Sequence, residues 1–115
     1  MSENCLFCKI ISGDIPSQKV YEDEKVFAFK DINPQAPVHI VIIPKKHISA
    51  LTDASQQDTE VLGYIQFVAA KLAAQFDEMK NGFRLINNCG PDGGQTVFHI
   101  HYHLIGGRIF GWPPG

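Results

Sequence analysis

Apolar positions recur at two different periods along the chain, and the switches between them mark its elements. From Val97 to Gly107, His99, His101 and His103 alternate with Ile100, Tyr102 and Leu104. A strand repeats every two residues, so this stretch predicts a strand with three imidazoles on one face and apolar residues on the other. Earlier, Gln18–Glu22, Val26–Lys30 and Val38–Ile43 read as strands, the third nearly all apolar and so central. Glu22-Asp23-Glu24 reads as the hairpin turn between the first two. Phe83–Asn87 reads as a fourth strand. Between Ser55 and Phe76 the period lengthens: Val61, Leu62, Ile65, Val68, Ala69, Leu72, Ala73 and Phe76 fall at steps of three and four. That is one long helix with a core-facing stripe, with Thr52 or Ser55 available as its cap. Phe7, Ile10 and Ile11 suggest a short helical turn, broken by Gly13-Asp14 and Pro16.

The alternating stretch also carries the chemistry. Three imidazoles on one strand face could ligate one ion. They could instead hold one imidazole in the tautomer that a nucleophile needs. The plain alternative is a histidine-rich strand with its rings in solvent. Gly106-Gly107 ends the strand or lets it bend. The loop before it, Asn88 to Thr96, is rich in glycine, and its N–H groups can turn toward an anion. Asn88, Gln95 and Thr96 add side-chain donors there. It is no Walker loop, because it lacks Gly-Lys-Ser/Thr and a following helix. His39 interrupts the central strand; it is either a satisfied core group or a partner for the second histidine-bearing strand. Asp31 stands at the mouth of a loop pinned by Pro34 and Pro37. Its carboxylate can cap that turn or accept two ribose hydroxyls. Cys5 and Cys8 form a CxxC: half a metal site, with His47 and His99 as further candidates, a redox pair, or two small buried hydrophobes.

Composition narrows the setting. A chain of 115 residues predicts one domain, 1–115, with a modest core. A net charge of −2 offers no basic field for nucleic acid or an anionic membrane, so no partner of either kind is expected. The start, MSENCLFCKI, lacks the basic region and long apolar core of a signal peptide, which points to the cytoplasm. Three cysteines, an odd count, argue against a disulfide framework. The role of Cys89 stays open, a buried thiol being the simplest reading.

HIHYHLI fits the pattern that names the histidine triad (HIT) superfamily. FCKII, DINPQAP, IPKKHIS, DGGQTVFHIHYHLIGGR and WPPG, in this order and spacing, resemble the superfamily's Hint branch, the histidine triad nucleotide-binding proteins. The resemblance runs over nearly the whole chain. It implies an α+β fold: a five-stranded antiparallel sheet with one long and one short helix, the sheet continued across a homodimer. It implies a purine nucleoside phosphoramidase acting on AMP-NH2 or AMP-lysine through a nucleotidyl-histidine intermediate. His101 would be the nucleophile, with His103 and His39 orienting the imidazole and the phosphate. The N–H groups of Gly94 to Thr96 would stabilise charge on the phosphate, with Asn88, Gln95 and Thr96 at positions that hold the phosphate or leaving group. Thr96 stands where animal members have serine and keeps the hydroxyl. Asp31 matches the ribose carboxylate, and Phe7, Ile10, Ile15, Phe29, Ile32 and Val41 match an apolar purine slot. Trp112 matches a tail residue that reaches the partner subunit's site.

Animal members usually lack the CxxC. Several bacterial relatives that have it hold a structural zinc through two cysteines and histidines matching His47 and His99, so the resemblance implies zinc on Cys5, Cys8, His47 and His99, with no cofactor for catalysis. Alternatives are a nucleotide-sensing module with incidental hydrolysis and a dinucleoside polyphosphate hydrolase or nucleotidylyltransferase of the same superfamily. A metal-dependent hydrolase using all three triad histidines as ligands is another. The substrate's leaving amine and the choice of adenine over guanine are not written in these residues.

Overall fold

The computed structural model describes residues 4–115; residues 1–3 of the expected domain lie outside the described residues. The chain runs α1 (Leu6–Ser12), β1 (Lys19–Glu22), β2 (Val26–Lys30), β3 (Val38–Pro44), α2 (Thr59–Ala73), β4 (Phe83–Asn87) and β5 (Tyr102–Gly106). The strands form one antiparallel sheet in the order β1-β2-β3-β5-β4. This is the expected α+β arrangement, with β3 central and buried along its whole length.

Alternation divides the side chains of the sheet between two cores. On one side Ile40, Ile42, Ile100, Tyr102 and Leu104 pack with Ile65, Val68, Ala69 and Leu72 of α2. Ile40, Ile42, Ile65 and Leu104 are wholly buried, and each stabilises the fold by roughly 1.5–3 kcal/mol. On the other side Phe27, Phe29, Val41 and Ile43 pack with Cys5, Phe7, Cys8 and Ile10 of the α1 region. The histidines belong to this second side, since Val41 pairs with His103 across the ladder.

Two elements differ from their sequence reading by more than one residue, while β1 starts one residue later and β3 ends one residue later than read. The long helix starts later, because Gln56–Asp58 is a 3-10 turn in which the Asp58 carboxylate accepts from Ser55 N (2.9 Å). That carboxylate also pairs with Lys46 Nζ at 2.6 Å. The helix ends at Ala73, and Phe76 follows in extended conformation before the Asp77–Met79 turn, still packed on the core. The last strand begins at Tyr102, not Val97. Its neighbour β3 ends at Pro44, which has no N–H to continue the ladder. The histidine-bearing stretch is therefore only partly a strand, although the alternation of its faces persists beyond the ladder. At the far end Gly107 takes φ +95°, and a Cβ there would stand 2.8 Å from the Pro37 ring.

Candidate active site and metal centre

His99, buried and placed before β5, has its Nε2 at 2.8 Å from the Pro44 carbonyl. A carbonyl only accepts, so Nε2 carries the proton and Nδ1 keeps a lone pair. That lone pair sits 3.3 Å from Cys5 Sγ, 3.6 Å from Cys8 Sγ and 3.2 Å from His47 Nδ1. Cys8 Sγ is 3.5 Å from His47 Nδ1, and all four donor atoms lie within 4.8 Å of one another. Tetrahedral zinc with ordinary Zn–S and Zn–N bonds would set its ligands about 3.4–3.8 Å apart. The donor set fits that ion in atom type, spacing and tautomer. Local structure builds it: Cys5 is the N-cap of α1, its sulfur accepting from Cys8 N at 3.2 Å, so one helical turn turns both thiols inward.

The next histidine faces different partners. His101 Nδ1 lies 2.8 Å from the His99 carbonyl. Again the ring must be the donor, so Nδ1 carries the proton and Nε2 holds the free electron pair. His101 is buried, and Nε2 makes no hydrogen bond among the described residues. Burial lowers its pKa below 6.5 against the opposing pull of the His99 carbonyl and Asp31, which keeps the ring neutral at pH 7. The Phe7 ring packs edge-on against it at 5.0 Å between centroids.

Beyond it lies a relay. Gln35 N–H donates to His39 Nδ1 at 3.0 Å. The His39 proton therefore sits on Nε2, 2.9 Å from His103 Nδ1 and 3.3 Å from Asp31 Oδ2. His103 accepts at Nδ1 and keeps its own proton on Nε2, with its ring 5.0 Å from that of His101. Burial lowers both pKa values, His103 to about 4 with His101 and His39 adding to the effect and Asp31 opposing. Asp31 also accepts from Asn33 N at 2.8 Å, so it caps its turn and faces the histidines at once.

The glycine-rich loop carries Gly94 at φ +82°. Gln95 is buried; its amide nitrogen donates to the carbonyls of Ser49 (2.7 Å) and Val97 (3.1 Å), while its oxygen accepts from Gly90 N. The side chain thus holds the loop in shape, and Thr96 is exposed beside it. Among the expected purine-slot residues, Phe7, Ile10, Phe29 and Val41 share one cluster, with Ile15 at its edge. Ile32 is fully exposed and Trp112 is 83% exposed, so neither joins that cluster within one chain. Asn88 is half-buried at the start of the loop.

Residues 12–109 match the protein-family model described as HIT domain. The chain belongs to the HIT domain family. Among HIT relatives, a 14 kDa zinc-binding protein of Zea mays is 53% identical over 96% of this chain and 87% of its own. Adenylylsulfatase HINT1 of Arabidopsis thaliana is 50% identical over 96% of this chain and 76% of its own. A crystal structure of a HIT family hydrolase from Legionella pneumophila Philadelphia 1 superposes with a TM-score of 0.94 at 52% identity, covering 97% of this chain and all of the other. The HIT fold therefore accounts for the sheet order and the placement of α1 and α2.

Three contacts of this HIT site escape a reading of side-chain types. The Pro44 carbonyl and the Gln35 N–H are backbone groups, which set the histidine tautomers from outside the motif. The third is Asn87, whose Nδ2 donates to the His101 carbonyl at 2.9 Å, just where β5 begins. Asparagine is disfavoured within strands, and that was the available signal.

Proposed function

We propose that this chain hydrolyses purine nucleoside phosphoramidates such as AMP-NH2 and AMP-lysine, with His101 Nε2 as the nucleophile. The observation that carries the reading is the His101 Nδ1–H donated to the His99 carbonyl, which leaves a neutral ring with its other nitrogen unprotonated. Nε2 bonds to the α-phosphorus as the P–N bond breaks, and the departing nitrogen takes up a proton. Water then opens the nucleotidyl-histidine, releasing AMP and restoring the imidazole. The protonated Nε2 of His103, backed by His39, offers a donor for charge on the phosphate. The N–H groups of Gly94 to Thr96, with Asn88, would hold phosphate oxygens, and Gln95 serves by fixing the loop. Asp31 would take the ribose hydroxyls, and Phe7, Ile10, Ile15, Phe29, Ile32 and Val41 would meet the base.

Zinc would be held by Cys5, Cys8, His47 and His99, where it supplies a structural cross-link in a reducing cytoplasm. The four-donor set and the name of the maize relative support this. A homodimer fits the unpaired outer edge of β4 and the exposed Trp112, which would enter the partner's site. The Arabidopsis relative's name favours a second substrate, adenylyl sulfate, attacked at the same phosphorus with sulfate leaving. Mass spectrometry of acid-sensitive adducts, quenched during turnover of AMP-NH2 and of adenylyl sulfate, tests both readings. Adenylylation mapped to His101 is expected, and an adduct elsewhere, or full turnover by His101→Ala, overturns the mechanism.

A further inference from the structure

Two clusters that differ in chemistry share one residue. The His99 ring turns Nδ1 to the cysteines, and the His99 carbonyl accepts the Nδ1 proton of His101. His99 lies outside the β5 ladder, so no strand pairing fixes its peptide. Three contacts hold it instead: its Nε2–H to Pro44 O at 2.8 Å, the Ile100 N–H to Ile48 O at 2.6 Å, and the Cys5/Cys8/His47 cluster. Phe7 makes a second link. It stands between the two cysteines on α1 and packs its ring edge-on against both His99 (6.0 Å) and His101 (5.0 Å).

We infer that His99 is a positioning residue, and that a divalent cation of the zinc class held by Cys5, Cys8, His47 and His99 fixes the orientation and tautomer of the His101 imidazole. Without a cation, the Nδ1 atoms of His99 and His47 face each other at 3.2 Å, and the cluster has only thiol protons and the one ring proton of His47 to share. Such S–H bonds are weak, so the ring of His99 loses its firm tie to the cluster and keeps the Pro44 carbonyl as its main anchor. Its peptide, still held by the Ile100 N–H to Ile48 O, then keeps fewer anchors, and the acceptor that selects the Nδ1–H form of His101 is held less firmly. Phe7 loosens in step, because the thiols that anchor α1 lose their common partner. Linkage makes this reciprocal: a ligand that binds only the ordered His101 must tighten cation binding by the same factor by which the cation tightens its own.

This inference deepens the nucleophile reading and rests on it for its catalytic consequence, but the test observes the ring directly. Long-range 1H–15N spectra of the histidine rings are recorded for zinc-loaded and chelator-treated protein. The loaded form should show His101 protonated at Nδ1, and stripping should speed exchange of that proton about fivefold or more, at the lower end of measured couplings. Identical ring signals and exchange in both forms, with unchanged far-ultraviolet circular dichroism, would overturn the inference. Should stripping unfold the chain, zinc-loaded His47→Gln, whose cation has lost one protein ligand, replaces the stripped sample, and exchange of the His101 proton faster than in the zinc-loaded parent is required of it. Calorimetric AMP affinity with and without zinc, and zinc affinity by chelator competition with and without AMP, must then both rise by one common factor above one; affinities unchanged by the other ligand count against the coupling. If AMP binds neither form, the nucleotide reading fails while the ring spectra still decide the positioning role.

Discussion

His99 and His39 are both buried and both hold one ring nitrogen against the backbone, but in opposite senses. His99 donates from Nε2 to the Pro44 carbonyl, so its other nitrogen carries a lone pair into a ring of sulfur and nitrogen donors. His39 accepts at Nδ1 from the Gln35 N–H, so its other nitrogen carries a proton toward His103. By donor type alone, Asp31, His39 and His103 also resemble a metal site, with two imidazoles and a carboxylate within 4.8 Å. The tautomer separates the two cases, because a protonated nitrogen cannot coordinate a cation while it donates. Residue identity and burial therefore leave the role of a histidine open, and the backbone group facing its second nitrogen closes it.

The comparison can be broken in order of effect. His101→Ala, which removes the ring between the two clusters, should cut turnover of AMP-NH2 by ~10³-fold or more while AMP still binds; steady-state rates beside calorimetry check this. At the metal end, Cys8→Ser should lower zinc content per chain to near zero. It should also reduce stability by ~3 kcal/mol or more, a drop on the order of 10 °C in Tm. Retention of zinc by that variant would remove the distinction drawn here. At the relay end, His39→Gln should leave zinc content unchanged and lower kcat by ~10²-fold. If it released zinc as well, the two clusters would not be separable.

The smallest effect is a pH dependence. Burial holds the pKa of His103 at about 4, below its unfolded value near 6.5. Between those values the unfolded chain binds a proton that the folded chain refuses, so stability falls as pH drops from about 6.5 to about 4. Partial exposure discounts the loss to ~2 kcal/mol. Urea unfolding across that window should show it, and His103→Gln should reduce the total fall by that amount, the lowered pKa values of His39 and His101 leaving the remainder. Asp23 adds a separate loss at lower pH. Burial raises its pKa, but bonds from the Tyr64 hydroxyl, Lys25 N, Val26 N and the Tyr21 hydroxyl outweigh that and hold it at about 2, so its contribution fades only as pH falls from 3.8 through about 2.

Much of this was legible in the chain. The boundaries of β2 and β4 match the runs VFAFK and FRLIN read from the chain, and the stripe from Val61 to Phe76 marked the long helix, whose buried face holds Ile65, Val68, Ala69, Leu72 and Ala73. That the three histidines share one face was readable from their spacing. The start of β5 was not, because it depends on Pro44 ending the neighbouring strand, a fact of pairing between distant segments. Nor was the structural work of Gln95, whose partners at Ser49 and Gly90 come from other parts of the chain.

By itself, then, the sequence determined which residue types were available and which face each would occupy, because strand and helix periods are local properties of the backbone. Tertiary structure decided what each histidine does. The Pro44 carbonyl meets the His99 ring, and His39 meets His103, only when segments far apart in the chain fold together; the Gln35 N–H and the His99 carbonyl lie near their rings in sequence but are aimed by the folded loop and strand end, and these backbone groups, absent from any side-chain pattern, place the protons.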